Sequence, residues 1–207
     1  MEDVSKEGRT VLFVSHNMAA VEQLCTKAIS LSKGIVFLEG DTKSVINNYL
    51  NHSSIKQGKI IDSLKQRNAN ISIDSITING SDSNIIEIDS DNNKLIFEVR
   101  GNLYENRKMA LEVRFYDPYD HLQMLYSPGH LYGNLKLFNK GPFALSETIQ
   151  LPDTLTKNEF NLTIDITQPN IEILAGFPSS AKIICRGIKG YTGLEFPAVN
   201  CGLLMLK

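Results

Sequence analysis

From residue 71 onward the apolar residues of this chain recur at every second position, a period that restricts its second half to β-strands. Ile71, Ile73, Ile76 and Ile78 open the pattern, and Leu95, Phe97 and Val99 alternate with Ile96, Glu98 and Arg100. The alternation returns in Leu111-Val113-Phe115, Leu162-Ile164-Ile166, Ala181-Ile183-Cys185 and Val199-Cys201-Leu203-Met205. Successive side chains of a strand face opposite ways, so each run has one face for a core and one for water. Asn79-Gly80, Asp91-Asn92-Asn93, Asp117-Pro118, Pro128-Gly129 and Lys140-Gly141-Pro142 separate the runs as turn signals. Short strands without long helices between them predict a mainly β fold, an antiparallel immunoglobulin-like β-sandwich over residues 71–207.

The first fifty residues follow another pattern. Thr10-Val11-Leu12-Phe13-Val14 is a continuous apolar run, as in a strand covered on both faces of a parallel sheet. Met18, Val21, Leu24 and Cys25 follow at helical spacing within residues 17–27. Residues 28–32 and 35–40 flank Lys33-Gly34 and predict a tight hairpin, and Asp41 reads as the N-cap of a helix through Val45, Ile46, Tyr49 and Leu50. Residues 1–51 therefore read as a short α/β remnant, the closing part of a larger domain. Residues 52–70, rich in Lys, Gln, Ser and Asn, read as a linker in which Ile60, Ile61 and Leu64 could give a short helical turn.

Charge narrows the partners. A formal net charge of -2 with Lys and Arg scattered along the chain supplies no basic field for nucleic acid, so none is expected. The longest apolar runs fall far short of the roughly 20 residues that span a bilayer. The charged N-terminus has no apolar leader core, which predicts a cytoplasmic chain. Cys25, Cys185 and Cys201 are odd in number and lack Cys-x-x-Cys spacing, so reduced thiols are expected rather than a disulfide framework or a zinc site.

The segment Gly8-Arg9-Thr10-Val11-Leu12-Phe13-Val14-Ser15-His16-Asn17-Met18 resembles the switch-histidine region of ABC-transporter ATPases. Ala28-Ile29-Ser30-Leu31-Ser32-Lys33-Gly34 and Gly40-Asp41-Thr42-Lys43-Ser44-Val45-Ile46 are similar to the hairpin and final helix that close such domains, and Ser-His-Asn-Met followed by Ala-Ala-Val-Glu is similar to the polysaccharide and teichoic-acid exporters in particular. The resemblance covers residues 1 to about 50 and gives His16 the role of meeting the γ-phosphate of ATP. The sequence holds no Gly-x-x-x-x-Gly-Lys-Ser/Thr phosphate loop and no LSGGQ-like signature. His16 is therefore expected to be inactive alone, and the chain by itself is read as no enzyme, with no cofactor and no metal.

Some exporters of this kind carry a C-terminal β-sandwich that recognises finished polysaccharide, and residues 71–207 resemble that module. The resemblance implies non-catalytic recognition of a bacterial surface polysaccharide, an O-antigen-like glycan of the kind lipopolysaccharide carries. It also implies membrane permease subunits as partners through a full-length protein, a place peripheral to the inner membrane, and a homodimer. The alternative is a structural dimerisation module that binds no glycan. Gly202 to Leu206, apolar on both faces, is the strand that needs cover.

The residues offer chemistry for sugar. If β-runs 95–99 and 111–115 are hairpin neighbours, Arg100 and Arg114 share one surface, where they would either bind an acidic sugar or pair with neighbouring Glu98 and Glu112. Residues 116–132 form the densest polar-aromatic stretch, with Tyr116, Tyr119, His121, Tyr126, His130 and Tyr132 as glycan-binding candidates. These aromatics would line a groove or cap the sandwich edge. Asp117, Asp120, His121 and His130 have metal-ligating side chains but no spacing that fixes a geometry. Asp165 faces outward by alternation, and nothing in the sequence brings a second carboxylate to the separation glycoside cleavage requires.

Overall fold

The first helix begins where the sequence supplies a cap. Asn17 Oδ1 accepts from the Ala20 amide at 2.9 Å and starts α1, Met18–Leu24. This is a computed structural model that describes residues 10–15, 17–32, 34–53 and 57–206. Its described residues fall into two compact units, one drawn from Met1–Ser54 with Pro118–His121, the other from Ile55–Asp117 with Leu122–Lys207.

In the first unit, β1 (Lys27–Ser32) and β2 (Ile35–Asp41) form the expected antiparallel hairpin around Gly34, whose φ of 81° favours glycine. Asp41 accepts from the Ser44 amide at 2.9 Å and opens α2, Thr42–Ser53, which buries Val45 and Ile46. Thr42 Oγ1 donates to the Cys25 carbonyl at 2.7 Å and ties this helix to the end of α1. The expected strand at Thr10–Val14 does not form: these residues join no ladder, and Leu12 and Val14 are exposed. A strand meant for the middle of a parallel sheet needs a neighbour on each side, and among its described residues this unit has only the β1–β2 pair. His16 lies outside the described residues.

The second unit is an antiparallel β-sandwich. A 3-10 turn at Ile60–Ser63 leads into β3 (Lys65–Gln66), β4 (Ile71–Ile78), β5 (Ile85–Ile88), β6 (Lys94–Leu103), β7 (Arg107–Tyr116) and β8 (Leu122–Tyr126). Next come α3 (Pro128–Tyr132), β9 (Lys136–Phe138), β10 (Gly141–Gln150), β11 (Asn158–Gln168), β12 (Glu172–Cys185) and α4 (Ala198–Cys201). One sheet runs β10-β6-β4. The other is seven-stranded, with β12, β11 and β7 at its centre, β3 and β5 along the outer side of β12, and β8 and β9 along the outer side of β7. Pairing is antiparallel except between β5 and β12.

The inward rows meet in one core. Leu95, Phe97 and Val99 of β6 and Ile71, Ile76 and Ile78 of β4 face Leu111, Val113 and Phe115 of β7 and Leu162, Ile164 and Ile166 of β11. Each such side chain contributes about 1.5–3 kcal/mol of burial. Phe115 and Phe160 meet edge to face at 6.2 Å. Asn79 and Gly80, both at positive φ, form a two-residue turn in which Ile78 and Ser81 exchange backbone hydrogen bonds. Gly101 faces a bulge in β4: a Cβ there would lie 2.0 Å from the Ser72 carbonyl oxygen.

Three further expectations differ from the observed fold. Within residues 52–70, Ile60 is fully buried in the sandwich core, Ile61 and Leu64 pack against it and Lys65–Gln66 pair with β12, so this polar stretch carries a short apolar turn that seats it on the sheet. Residues 198–201 are helical after Pro197, and residues 203–205 run beside Thr154–Thr156 through single bonds instead of extending a strand. Most consequentially, β6 and β7 are not hairpin neighbours: they lie in different sheets. Leu103 and Met109, on either side of their connection, are both fully buried, and the Tyr104 amide donates to Asn70 next to β4 while Arg107 binds Glu172 of β12.

Candidate functional site

Cross-strand partners in a sheet point to the same side, so the ladders of the larger sheet specify its outer face. Lys182 of β12, Asn161 of β11, Tyr116 of β7 and Leu122 of β8 form one row. Thr163, Arg114 and Leu125 form the next, and Gly176, Asp165 and Glu112 the one after. Tyr116, Asn161, Thr163 and Arg114 are half-buried, while Leu122 and Leu125 are exposed. Neither the Tyr116 hydroxyl nor the Asn161 amide has a hydrogen-bond partner among the described residues. Thr163 Oγ1 accepts from the Ser179 amide at 3.3 Å, and Lys182 pairs with Glu159 at 2.9 Å.

The polar base of this face is tightly matched. Arg114 donates to Asp165 Oδ2 at 2.5 Å and also binds Glu112. Glu112 and Asp165 are only 4% and 8% exposed, so both carboxylates that alternation sends outward are covered. Burial pushes the Asp165 carboxyl above its ordinary range against the opposing pull of Arg114. Desolvation works against the charge of Arg114 too, but Asp165 and Glu112 outweigh it and hold the guanidinium's pKa up. Gly176 makes room for the arrangement: a Cβ there would meet Asp165 Oδ1 at 2.7 Å.

Helix α3 is latched to the same base. Ser127 Oγ donates to Glu112 Oε2 at 2.7 Å, and His130 Nδ1 lies 2.9 Å from Ser127 Oγ and 3.1 Å from Glu112 Oε2. This is not a nucleophile relay, which needs the hydroxyl on one ring nitrogen and the carboxylate on the other. Here both meet Nδ1. Glu112 and Asp165 likewise do not resemble a glycosidase pair: they are covered cross-strand neighbours sharing one guanidinium, with no space between them for a sugar. What the face presents is a fixed array of donors, acceptors and one aromatic ring, suited to binding.

The candidates from the sequence are thus divided. Arg114, Tyr116 and His130 belong to this face or its latch, and Tyr132 is exposed at the end of α3. Arg100 does not join Arg114. It stands on the outer side of the smaller sheet, opposite Ala144 and Ser75, 3.6 Å from Glu98. Tyr126 points the other way, packing on the core and donating its hydroxyl to Glu147 of β10 at 3.0 Å. Burial, reinforced by Glu147, pushes its phenol up to about 12. Tyr119 and His121 stack on each other at 6.4 Å within the Pro118–His121 segment. Among the described residues no group of three or more His, Cys, Asp or Glu is placed to hold a metal. Asn161 and Thr163 were not singled out from the sequence, although alternation in 161–166 sends both outward; their adjacency to Tyr116 depends on β11 lying beside β7.

Comparison with known proteins gives the class first. Over 49 residues the chain is similar to proteins of ABC transport and teichoic acid export. In particular, the stretch is 39% identical to the ABC transporter protein AbcA of Aeromonas salmonicida, covering 24% of this chain and 16% of AbcA. It is 37% identical to the teichoic acids export ATP-binding protein TagH of Bacillus anthracis, covering 24% of this chain and 9% of TagH. The match therefore spans about a sixth of AbcA and less than a tenth of TagH. Among solved structures the chain is similar to the C-terminal domain of wzt, with 10% identity and a TM-score of 0.47 over 69% of this chain and 86% of that one. No protein-family model matches the chain. Among the described residues no helix is long and apolar enough to cross a membrane.

Proposed function

We propose that the sandwich recognises a bacterial surface polysaccharide without cleaving it, as the substrate-selecting part of an ABC exporter, with the outer face of the larger sheet as its site. The observation that carries this reading is the half-buried pair Tyr116 and Asn161, adjacent in the ladder on a rigid sheet and without hydrogen-bond partners among the described residues. A ring and an amide held in advance meet the C–H face and the hydroxyls of a sugar with little further ordering. The similarity to export ATP-binding proteins supports the setting. ATP hydrolysis, permease partners and a place at the inner membrane would belong to a longer protein.

Calorimetric titration of the full chain with the polysaccharide exported by its own host tests the reading. Saturable heat without release of reducing sugar is expected, weakened at least about tenfold by the double substitution Tyr116→Ala, Asn161→Ala, about 1.4 kcal/mol or more. Absence of binding, or binding indifferent to both substitutions, refutes it.

The dimerisation reading has one observation of its own. Val199 and Leu206 are 90% and 94% exposed near the C-terminus, an apolar surface that a second copy would cover. A single monomeric species in sedimentation at high micromolar concentration refutes that reading.

A further inference from the structure

At one end of the sandwich an open cavity of about 420 Å³ is lined by Glu105, Asn106, Arg107, Lys108, Leu137 and Gln168. It lies off the sheet face described above, where β6 gives way to β7 and β11 to β12. Its floor is a locked network. Arg107, 19% exposed, donates through Nε to Glu105 Oε1 at 2.7 Å and through one terminal nitrogen to Glu172 at 2.6 Å and Gln168 Oε1 at 3.3 Å. Asn68 and Asn70 donate to Glu172 Oε2 and Glu105 Oε1 at 2.7 and 2.9 Å.

The network fixes which polar groups remain free. Gln168 Oε1 faces a guanidinium and Asn106 Oδ1 accepts from the Lys140 amide at 2.8 Å, partners that can only donate. Both side-chain amides are therefore oriented, leaving their NH₂ groups without partners among the described residues. Lys108 makes no ion pair among them, and Glu105 Oε2 accepts from none of them. Glu105 and Glu172 are balanced by Arg107 and Lys108, so the lining favours neither an anion nor a cation. The exposed Leu137 supplies an apolar side.

We propose that this cavity is a second saccharide subsite that takes a neutral pyranose, with Asn106, Gln168 and Lys108 donating to its hydroxyls, Glu105 Oε2 accepting from one, and Leu137 against its C–H face. The proposal rests on the glycan reading above and extends it to a separate place on the same unit. A glycan long enough to reach both subsites binds more tightly than either alone, because the second contact forms at high effective concentration.

The test is nuclear magnetic resonance titration of the full chain with the methyl α-pyranosides of glucose, mannose and galactose, and with sodium glucuronate. At least one neutral glycoside is expected to shift the Lys108, Leu137 and Gln168 amides and the Asn106 and Gln168 NH₂ signals saturably, in the millimolar range. Gln168→Glu keeps the oxygen that Arg107 needs and removes the donor, and is expected to weaken this binding about tenfold. No saturable shift by any neutral glycoside up to about 100 mM overturns the proposal, as does equal binding by the Gln168→Glu protein; tighter binding of glucuronate overturns the neutral class. Polysaccharide binding without the glycoside shifts sinks the subsite and leaves the sheet-face reading standing. Glycoside shifts without polysaccharide binding do the reverse.

Discussion

Replacing Arg114 by methionine should uncouple the polar base of the larger sheet while keeping the length of the side chain. Glu112 and Asp165 are 4% and 8% exposed and both depend on that guanidinium, which is itself 30% exposed. Removing one member of a buried ion pair costs about 3–5 kcal/mol, and the partial exposure of Arg114 lowers the expected cost to about 2–4 kcal/mol. For a domain of this size that corresponds to a fall in melting temperature of about 5–15 °C. The loss depends on charge. Without Arg114 the folded pKa of Asp165, already raised by burial, lies further above its unfolded value, so its penalty is fully present above the folded pKa and fades as pH falls toward the unfolded one near 4. Native-state hydrogen exchange at the Val113 and Ile164 amides, which lie in paired central strands, reads the sandwich separately from the N-terminal unit. The variant should lose protection at neutral pH and recover most of it near pH 4.5. The triple variant Arg114→Met, Glu112→Gln, Asp165→Asn should regain stability at neutral pH, since neutral groups replace the stranded charges. A loss below about 1 kcal/mol, or one that is the same at both pH values, would show that the carboxylates are solvated and would refute the reasoning.

Two further outcomes follow from single contacts. Gly101→Ala brings a methyl group to 2.0 Å from the Ser72 carbonyl oxygen and 3.0 Å from the Phe143 ring, so it should destabilise the sandwich at the upper end of about 1–3 kcal/mol; a neutral effect on denaturant midpoint would mean that β4 gives way freely. Tyr126→Phe removes the bond to Glu147, which keeps Lys136 at 2.7 Å, and should cost about 1 kcal/mol. Because the Tyr126 phenol is pushed up to about 12 from 10.0, the unfolded chain ionises first, so its contribution is present below pH 10 and declines as pH rises toward 12. Tyrosinate absorbance should lose its highest-pH component in the variant; persistence of that component would assign it elsewhere.

What the sequence made legible was the property that each residue carries alone. Alternation in Leu95-Phe97-Val99 and Leu111-Val113-Phe115 gives the face of every residue, and Asn79-Gly80 specifies a turn because both positions require positive φ. Alternation does not say which strand lies alongside, so Arg100 and Arg114 could be assigned faces but not a common sheet. Glu112 and Asp165 read as solvent-facing carboxylates, and their burial depends on a cross-strand arginine, a glycine on β12 and a short helix folded over them. In the first unit, the run Thr10–Val14 has the composition of a central strand, but composition cannot provide the two neighbours such a strand requires.

The close approach of Asp165 to Gly176 has an evolutionary reading. The two positions occupy one volume between adjacent strands, so a descendant that gains a side chain at 176 must first shorten or redirect the one at 165. Losing Asp165 in turn frees half of the guanidinium opposite it. Substitutions at 114, 165 and 176 are therefore expected to arise in a fixed order, with the acid going first, and lineages that keep the acid are expected to keep the glycine.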